Sequence, residues 1–372
     1  MPARLALLAC LAVAAAACSP RERARASRGE DAAAGPLARA QAGPSPSGSR
    51  TCVARRARLE EALASHAARG RGALLGVDAP GCPPALLAVD AQVSQPFRMA
   101  SVAKTFVATL ALRAVSRGAL ALDAPLDPRV HVALRGATLR ALLQHTSGLF
   151  PYERDPTFLA WASKPAPRGP DELLARALFH APRARVGAPF RYANTNYLVL
   201  ARVLERALGA PLGELVSREL TGPLGLASTA PEAGREPLLP SYDERGRELT
   251  RTHHPSWLYG AGDLVTTLSD LVRWTRLYGT GEVIPAQLRG EWLRTVPTDD
   301  PDVRYGLGVF VTDGEAAGGL GRVRSHAGDV AGLHLEAVYF VDLDAAVVAV
   351  VTHDGGAPEG LAVAAGQALK AR

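Results

Sequence analysis

The spacing of apolar residues changes along the chain, and the changes predict its architecture. Residues 53–69 place apolar side chains at helical intervals, and the apolar runs 74–77 and 86–93 that follow predict two strands. Val102, Phe106, Val107, Leu110 and Val115 then recur at helical spacing as far as Gly118, predicting a buried helix that opens at Ser101. Segments 139–145, 171–179, 197–208 and 264–278 continue a mostly helical middle. After about residue 303 the pattern turns to strands, at 307–311, 323–325, 333–341 and 345–352, and an Ala-rich segment 361–369 predicts a last helix. Strands near both ends with helices between them predict an α+β fold, an α/β sandwich. Its antiparallel sheet is built from both chain termini and flanked by helices. Residues 51–100 and 303–372 form the sheet lobe, and 101–302 an inserted, mostly helical lobe. The groove between the lobes is the expected pocket.

Length and charge sharpen this picture. A chain of 372 residues exceeds the size at which one core keeps growing, so two packed lobes are expected. The net charge of +6 is unevenly placed: residues 1–58 hold ten arginines against Glu22, Glu30 and Asp31, which leaves the remainder near neutral. No basic patch argues for a nucleic-acid partner. Arg4 precedes an apolar run that ends in small residues at Cys18, the pattern of an export signal over residues 1–18. Ala15-Ala16-Ala17-Cys18-Ser19 resembles a bacterial lipoprotein cleavage site, with Cys18 as the lipidated residue; the alternative is an ordinary cleaved signal. Both place the protein in the periplasm or cell envelope, lipid-anchored to the membrane in the first case. Residues 19–50, rich in Arg, Ala, Pro, Ser and Gly, read as a flexible tether. In an oxidising compartment Cys52 and Cys82 make a candidate disulfide.

The candidate chemistry begins with a lysine in a chain that avoids lysine. Of 42 basic residues only Lys104, Lys164 and Lys370 are lysines. Arginine cannot surrender its proton, whereas a desolvated lysine can approach neutrality and act as a base. Ser101 lies three residues before Lys104, on the same helix face and among apolar neighbours. A hydroxyl in the first turn of a helix also faces unpaired N–H groups and the positive end of the macrodipole, which favour a developing anion. The pair reads as a nucleophile beside its own base.

Two further segments, Arg191-Tyr192-Ala193-Asn194-Thr195-Asn196-Tyr197 and Ser325-His326-Ala327-Gly328-Asp329, follow Ser101 and Lys104 in the order and spacing of a three-motif set. The chain thereby resembles the serine β-lactamases and penicillin-binding proteins, in the branch of class C β-lactamases, D-alanyl-D-alanine carboxypeptidases and related esterases. Leu142-Leu143-Gln144-His145-Thr146-Ser147-Gly148-Leu149, Gly222-Pro223-Leu224-Gly225-Leu226, Gly260-Ala261-Gly262-Asp263-Leu264 and Tyr305-Gly306-Leu307-Gly308 support the resemblance. It implies that Ser101 is the acylated nucleophile, Lys104 its base and Tyr192 a partner in proton transfer. Asn194 would bind substrate and hold Lys104, and His326 would assist Tyr192 or orient substrate. Gly328 and Asp329 would line the substrate strand, the N–H groups of Ser101 and Asp329 forming the oxyanion hole.

Other residues read as structural. His145 ends a helix and packs, and the adjacent His253 and His254 are poorly spaced as ligands, so neither a metal nor a cofactor is expected. No Gly-x-Ser-x-Gly elbow occurs, which disfavours an α/β-hydrolase. Ala327 stands where carboxypeptidase-like members carry a hydroxyl, and Asp329 adds an acidic group nearby. An ester, amide or modified peptide therefore gains weight as substrate over a free D-Ala carboxylate. The expected activity is hydrolysis of a peptide, β-lactam or ester carbonyl by a monomer through an acyl-enzyme. The rival is a noncatalytic lipoprotein that binds cell-wall peptide.

Overall fold

A computed structural model describes residues 50–371 apart from 69, 128–133, 135, 163, 165 and 233–237. The expected signal, nearly all of the tether, Cys18 and the last residue of the first predicted helix lie outside them. The strands are β1 (Ala73–Asp78), β2 (Ala85–Val89), β3 (Phe97–Arg98), β4 (Ala230–Pro231), β5 (Leu264–Thr266), β6 (Val296–Pro297), β7 (Val303–Tyr305), β8 (Phe310–Thr312), β9 (Val323–Val330), β10 (Leu333–Phe340) and β11 (Ala345–Val351). Eight of them form an antiparallel sheet in the order β2-β1-β11-β10-β9-β8-β7-β6. The helices are α1 (Arg50–His66), α2 (Ala103–Ser116), α3 (Leu139–Leu143), α4 (Pro156–Ala162), α5 (Pro170–Ala177), α6 (Asn194–Leu208), α7 (Leu212–Val216), α8 (Leu268–Thr280), α9 (Arg289–Trp292) and α10 (Pro358–Lys370).

Alternation along each strand sorts side chains to the two faces of the sheet. Leu75, Val77, Val347, Ala349, Val338 and Phe340 pack on one face with Leu59 and Leu63 of α1 and Leu361 and Ala365 of α10. Leu74, Val348, Val350 and Leu335 face the other way, into the core shared with Leu268, Leu271 and Val272 of α8 and with α2. Gly76 is required by this packing, since a Cβ there would lie 2.3 Å from Val272 Cγ2. Arg58 on α1 donates to the carbonyls of Ala368 and Ala371, satisfying groups that the end of α10 leaves open.

Several sequence expectations need correction. Residues 264–266 are strand β5 rather than the start of a helix, because they pair with β3 and β4 in a separate three-stranded sheet. Phe97 and Arg98 therefore belong to that small sheet and not to the large one, which instead gains Val296–Pro297 at its far edge. Residues 306–309 turn between β7 and β8, with the Gly306 N–H bonded to the Val309 carbonyl. β2 stops at Val89, followed by Asp90 at a positive φ of 48°, a turn conformation that aspartate tolerates. Arg50 joins α1 rather than the tether.

Cys52 on α1 is bonded to Cys82 in the β1–β2 loop across 30 residues of chain. In the chain-entropy description a loop of that length contributes about 3–4 kcal/mol. The double variant Cys52→Ser/Cys82→Ser should melt roughly 5–10 °C below the parent in calorimetry. An unchanged Tm would mean that α1 and its neighbours hold without the bridge.

Candidate active site

Ser101 owes its position to a forced turn. The Met99 N–H bonds to the Leu264 carbonyl of β5, extending the β3 pairing by one residue. Ala100 then enters the left-handed region at φ 43°, a strained conformation for a residue with a Cβ. A single 3₁₀ turn over Ala100–Val102 carries Ser101, and α2 begins at Ala103, two residues later than the sequence suggests. Two glycines let neighbouring chain approach this turn. A Cβ on Gly262 would lie 3.1 Å from the Ala100 carbonyl carbon, and one on Gly328 2.6 Å from the Met99 carbonyl oxygen.

Lys104 lies beside Ser101 with no solvent exposure. Its Nζ is 2.8 Å from each of Ser101 Oγ, Asn194 Oδ1 and the Ala261 carbonyl. A neutral amine has two N–H bonds and one lone pair. Asn194 and Ala261 are pure acceptors at these atoms and take both protons, which directs the lone pair at the Ser101 hydroxyl. Burial drives the Lys104 pKa from 10.5 down to about 7, against the opposing pull of the Glu153 and Asp263 carboxylates. Glu153 accepts the Asn194 N–H at 2.9 Å, and Asp263 accepts that of Gly260 at 3.1 Å. Burial raises the pKa of both carboxyls, Asp263 to about 7. Neither residue was assigned a role from sequence: Glu153 lies outside every motif, and Asp263 was visible only as part of Gly260-Ala261-Gly262-Asp263.

The second motif meets the first through α6. Asn194 is the first residue of that helix, and Tyr192 two residues earlier places its ring centroid 5.0 Å from Lys104 Nζ. The third motif runs along β9, where β8 pairs only with residues 323–325. Beyond them the edge of β9 meets the Ala100–Val102 turn at Gly328. Strand parity divides the motif. His326 lies opposite Ala337, on the face of the inner core, whereas Asp329 lies opposite His334 and binds its Nδ1 at 2.6 Å. The Asp329 carboxylate therefore lies on the face opposite that of His326, held by His334. His326 is 1% exposed, with Nε2 3.3 Å from the Tyr305 hydroxyl and Nδ1 2.8 Å from the Ala327 carbonyl. Burial, reinforced by Lys104, lowers its pKa to about 3, so the imidazole is neutral at physiological pH.

This fold, with a desolvated lysine against a serine at a helix start, is that of a serine hydrolase. The chain belongs to the β-lactamase family, which residues 88–372 match. It is similar to a D-stereospecific amidohydrolase from Streptomyces sp., with 27% identity, a TM-score of 0.74 and coverage of 82% of this chain and 97% of that one. Protein Rv1367c of Mycobacterium tuberculosis is 31% identical over 242 residues, 55% of this chain and 59% of that protein. Esterase EstB of Burkholderia gladioli is 34% identical over 145 residues, 35% of this chain and 37% of the esterase. The chain thus spans less than two thirds of the length of these two curated relatives.

Acting as the base toward Ser101, a Lys104 amine with a pKa of about 7 would set the pH dependence of acylation. Below that pKa Lys104 holds its third proton and cannot accept one from Ser101; above it the amine is free. The kcat/KM for a neutral ester should rise tenfold per pH unit up to about pH 7 and then level off. A profile flat from pH 5 to 9 would show that another group governs the step.

Proposed function

We propose that the chain is an exported hydrolase that cleaves an amide or ester through an acyl-enzyme on Ser101. The observation that carries this reading is the 2.8 Å contact between Ser101 Oγ and a lysine whose other two partners leave its lone pair free for the hydroxyl. Ser101 Oγ attacks the carbonyl carbon as its proton passes to Lys104 Nζ. Backbone N–H groups of Ser101 and Asp329 receive the oxyanion. The bond to the leaving group breaks as Tyr192 relays a proton to it from Lys104. Water then attacks the Ser101 ester by the reverse sequence, releasing the acid and restoring the hydroxyl.

The substrate reading follows from the third motif. His326 is buried, Ala327 lacks a hydroxyl, and the Asp329 carboxylate faces His334. From His326 to Asp329 the motif offers neither a cation nor a hydroxyl to a free carboxylate beside the scissile bond. An amide or ester without that carboxylate fits better than a peptide ending in D-Ala, and the Streptomyces relative, by its name, is a D-stereospecific amidohydrolase. Export is supported by the pattern of residues 1–18 and by the Cys52–Cys82 bridge, a bond that the reducing cytosol disfavours. Lipidation at Cys18 would tether the enzyme to the membrane.

Hydrolysis of D-phenylalanine amide, a D-Ala-D-Ala peptide, nitrocefin and a p-nitrophenyl ester, measured side by side, tests the proposal. The amide and the ester should exceed the peptide in kcat/KM by about tenfold or more, the discrimination expected when one charged substrate group finds no partner. Preferred cleavage of the D-Ala-D-Ala peptide would defeat the substrate reading. Binding of muropeptides without turnover or acylation by any of the four would favour a noncatalytic role.

A further inference from the structure

His145 lies two residues past the end of helix α3, beyond its C-cap Gln144, and is 1% exposed, and its contacts converge on one residue of the site. The N–H of Arg191 donates to the His145 carbonyl at 2.9 Å, and that of Ala193 to His145 Nδ1 at 3.2 Å. Both chain neighbours of Tyr192 are thus anchored on a single histidine. The phenol ring of Tyr192 itself stacks on the imidazole, with centroids 4.3 Å apart and planes at 30°. His145 has φ 56°, a left-handed conformation that lets its carbonyl and its ring address the same extended segment. Asn196 gives a further contact, Nδ2 to Nδ1 at 3.0 Å, and its Oδ1 accepts from the Ser147 hydroxyl. With a backbone N–H and an amide N–H both directed at Nδ1, that nitrogen must be the acceptor, and the ring proton sits on Nε2. Burial together with the positive charge of Lys104 keeps the ring neutral.

We propose that His145 is the positioning residue for Tyr192, a neutral clamp that fixes the phenol relative to Lys104 and Ser101 without touching substrate. The inference rests on Tyr192 being a proton carrier. A histidine serves here because one residue supplies a flat stacking surface, a side-chain acceptor and tolerance of the left-handed backbone. Misplacing a proton carrier by about 1 Å costs on the order of 10²-fold in rate.

The test is a double-mutant cycle on acylation by D-phenylalanine amide, read as kcat/KM, because the departing nitrogen of an amide must take a proton before it can leave. His145→Phe, which keeps a ring and loses the acceptor, should slow acylation by about 10²-fold with little change in substrate affinity. In a Tyr192→Phe background the same change should cost no more than about twofold, because the group it positions is gone. His145→Asn, which tolerates the left-handed backbone and offers an acceptor oxygen, should recover most of the rate. In the wild-type protein, ¹⁵N spectra should place the His145 ring proton on Nε2, a readout independent of how any variant folds. Losses that multiply in the double variant, or a proton on Nδ1, would overturn the role of His145 alone. Wild-type acylation by Tyr192→Phe would instead remove the reading of Tyr192, and the clamp with it.

Discussion

Ser101→Ala should leave no measurable turnover of any ester or amide, a loss of about 10⁴-fold or more. The magnitude follows from what the serine supplies: the atom that forms the covalent intermediate and the proton that Lys104 removes. The variant should fold and melt like its parent, because Ser101 is only partly buried and its hydroxyl bonds to Lys104 alone among the described contacts at Oγ. Normal melting combined with absent turnover separates chemistry from stability. Substantial turnover in Ser101→Ala, at more than about a tenth of the parent rate, would mean that hydrolysis proceeds by direct attack of water and that the covalent route is wrong.

Lys104→Arg should lose about 10³-fold in the rate of acylation, as much as Lys104→Ala. Arginine keeps the positive charge, so an electrostatic role would survive the exchange in part, whereas a base role would not. The surroundings add a steric reason. They close around a compact amino group with three contacts at 2.8 Å, and a planar guanidinium cannot reproduce that geometry. Melting curves guard against misfolding. Raising the pH should not rescue Lys104→Arg, since guanidinium holds its proton across the accessible range. Activity within about tenfold of wild type in Lys104→Arg would reject Lys104 as the base.

The site was legible where its chemistry is local in sequence. Ser101 and Lys104 lie one helical turn apart in a chain with three lysines, so the spacing and the composition both mark them. The large sheet was legible for a similar reason where β10 and β11 follow one another with sustained apolar patterns, whereas β9 read as strand only over 323–325 and runs on to Val330 through polar residues because it pairs with β10. What escaped depends on contacts between distant segments. Residues 264–266 read as helix because their apolar pattern runs straight into that of α8, and only pairing with Phe97 and Arg98 makes them a strand. The acidic side chain of Asp329 pointed to substrate in the sequence, but strand parity and His334 turn it to the opposite face. Glu153 shapes the electrostatics of Lys104 from a single 3₁₀ turn, Tyr152–Arg154, that carries no motif. His145 sat in a visible block, yet its meaning comes from Tyr192, 47 residues later, and from a backbone angle that no spacing encodes.

The most direct measurement is intact-protein and peptide mass spectrometry after treatment with a fluorophosphonate. One adduct per chain is predicted, mapped to Ser101, absent from Ser101→Ala and formed far more slowly by Lys104→Arg. An adduct on another residue, or one retained by Ser101→Ala, would contradict the account.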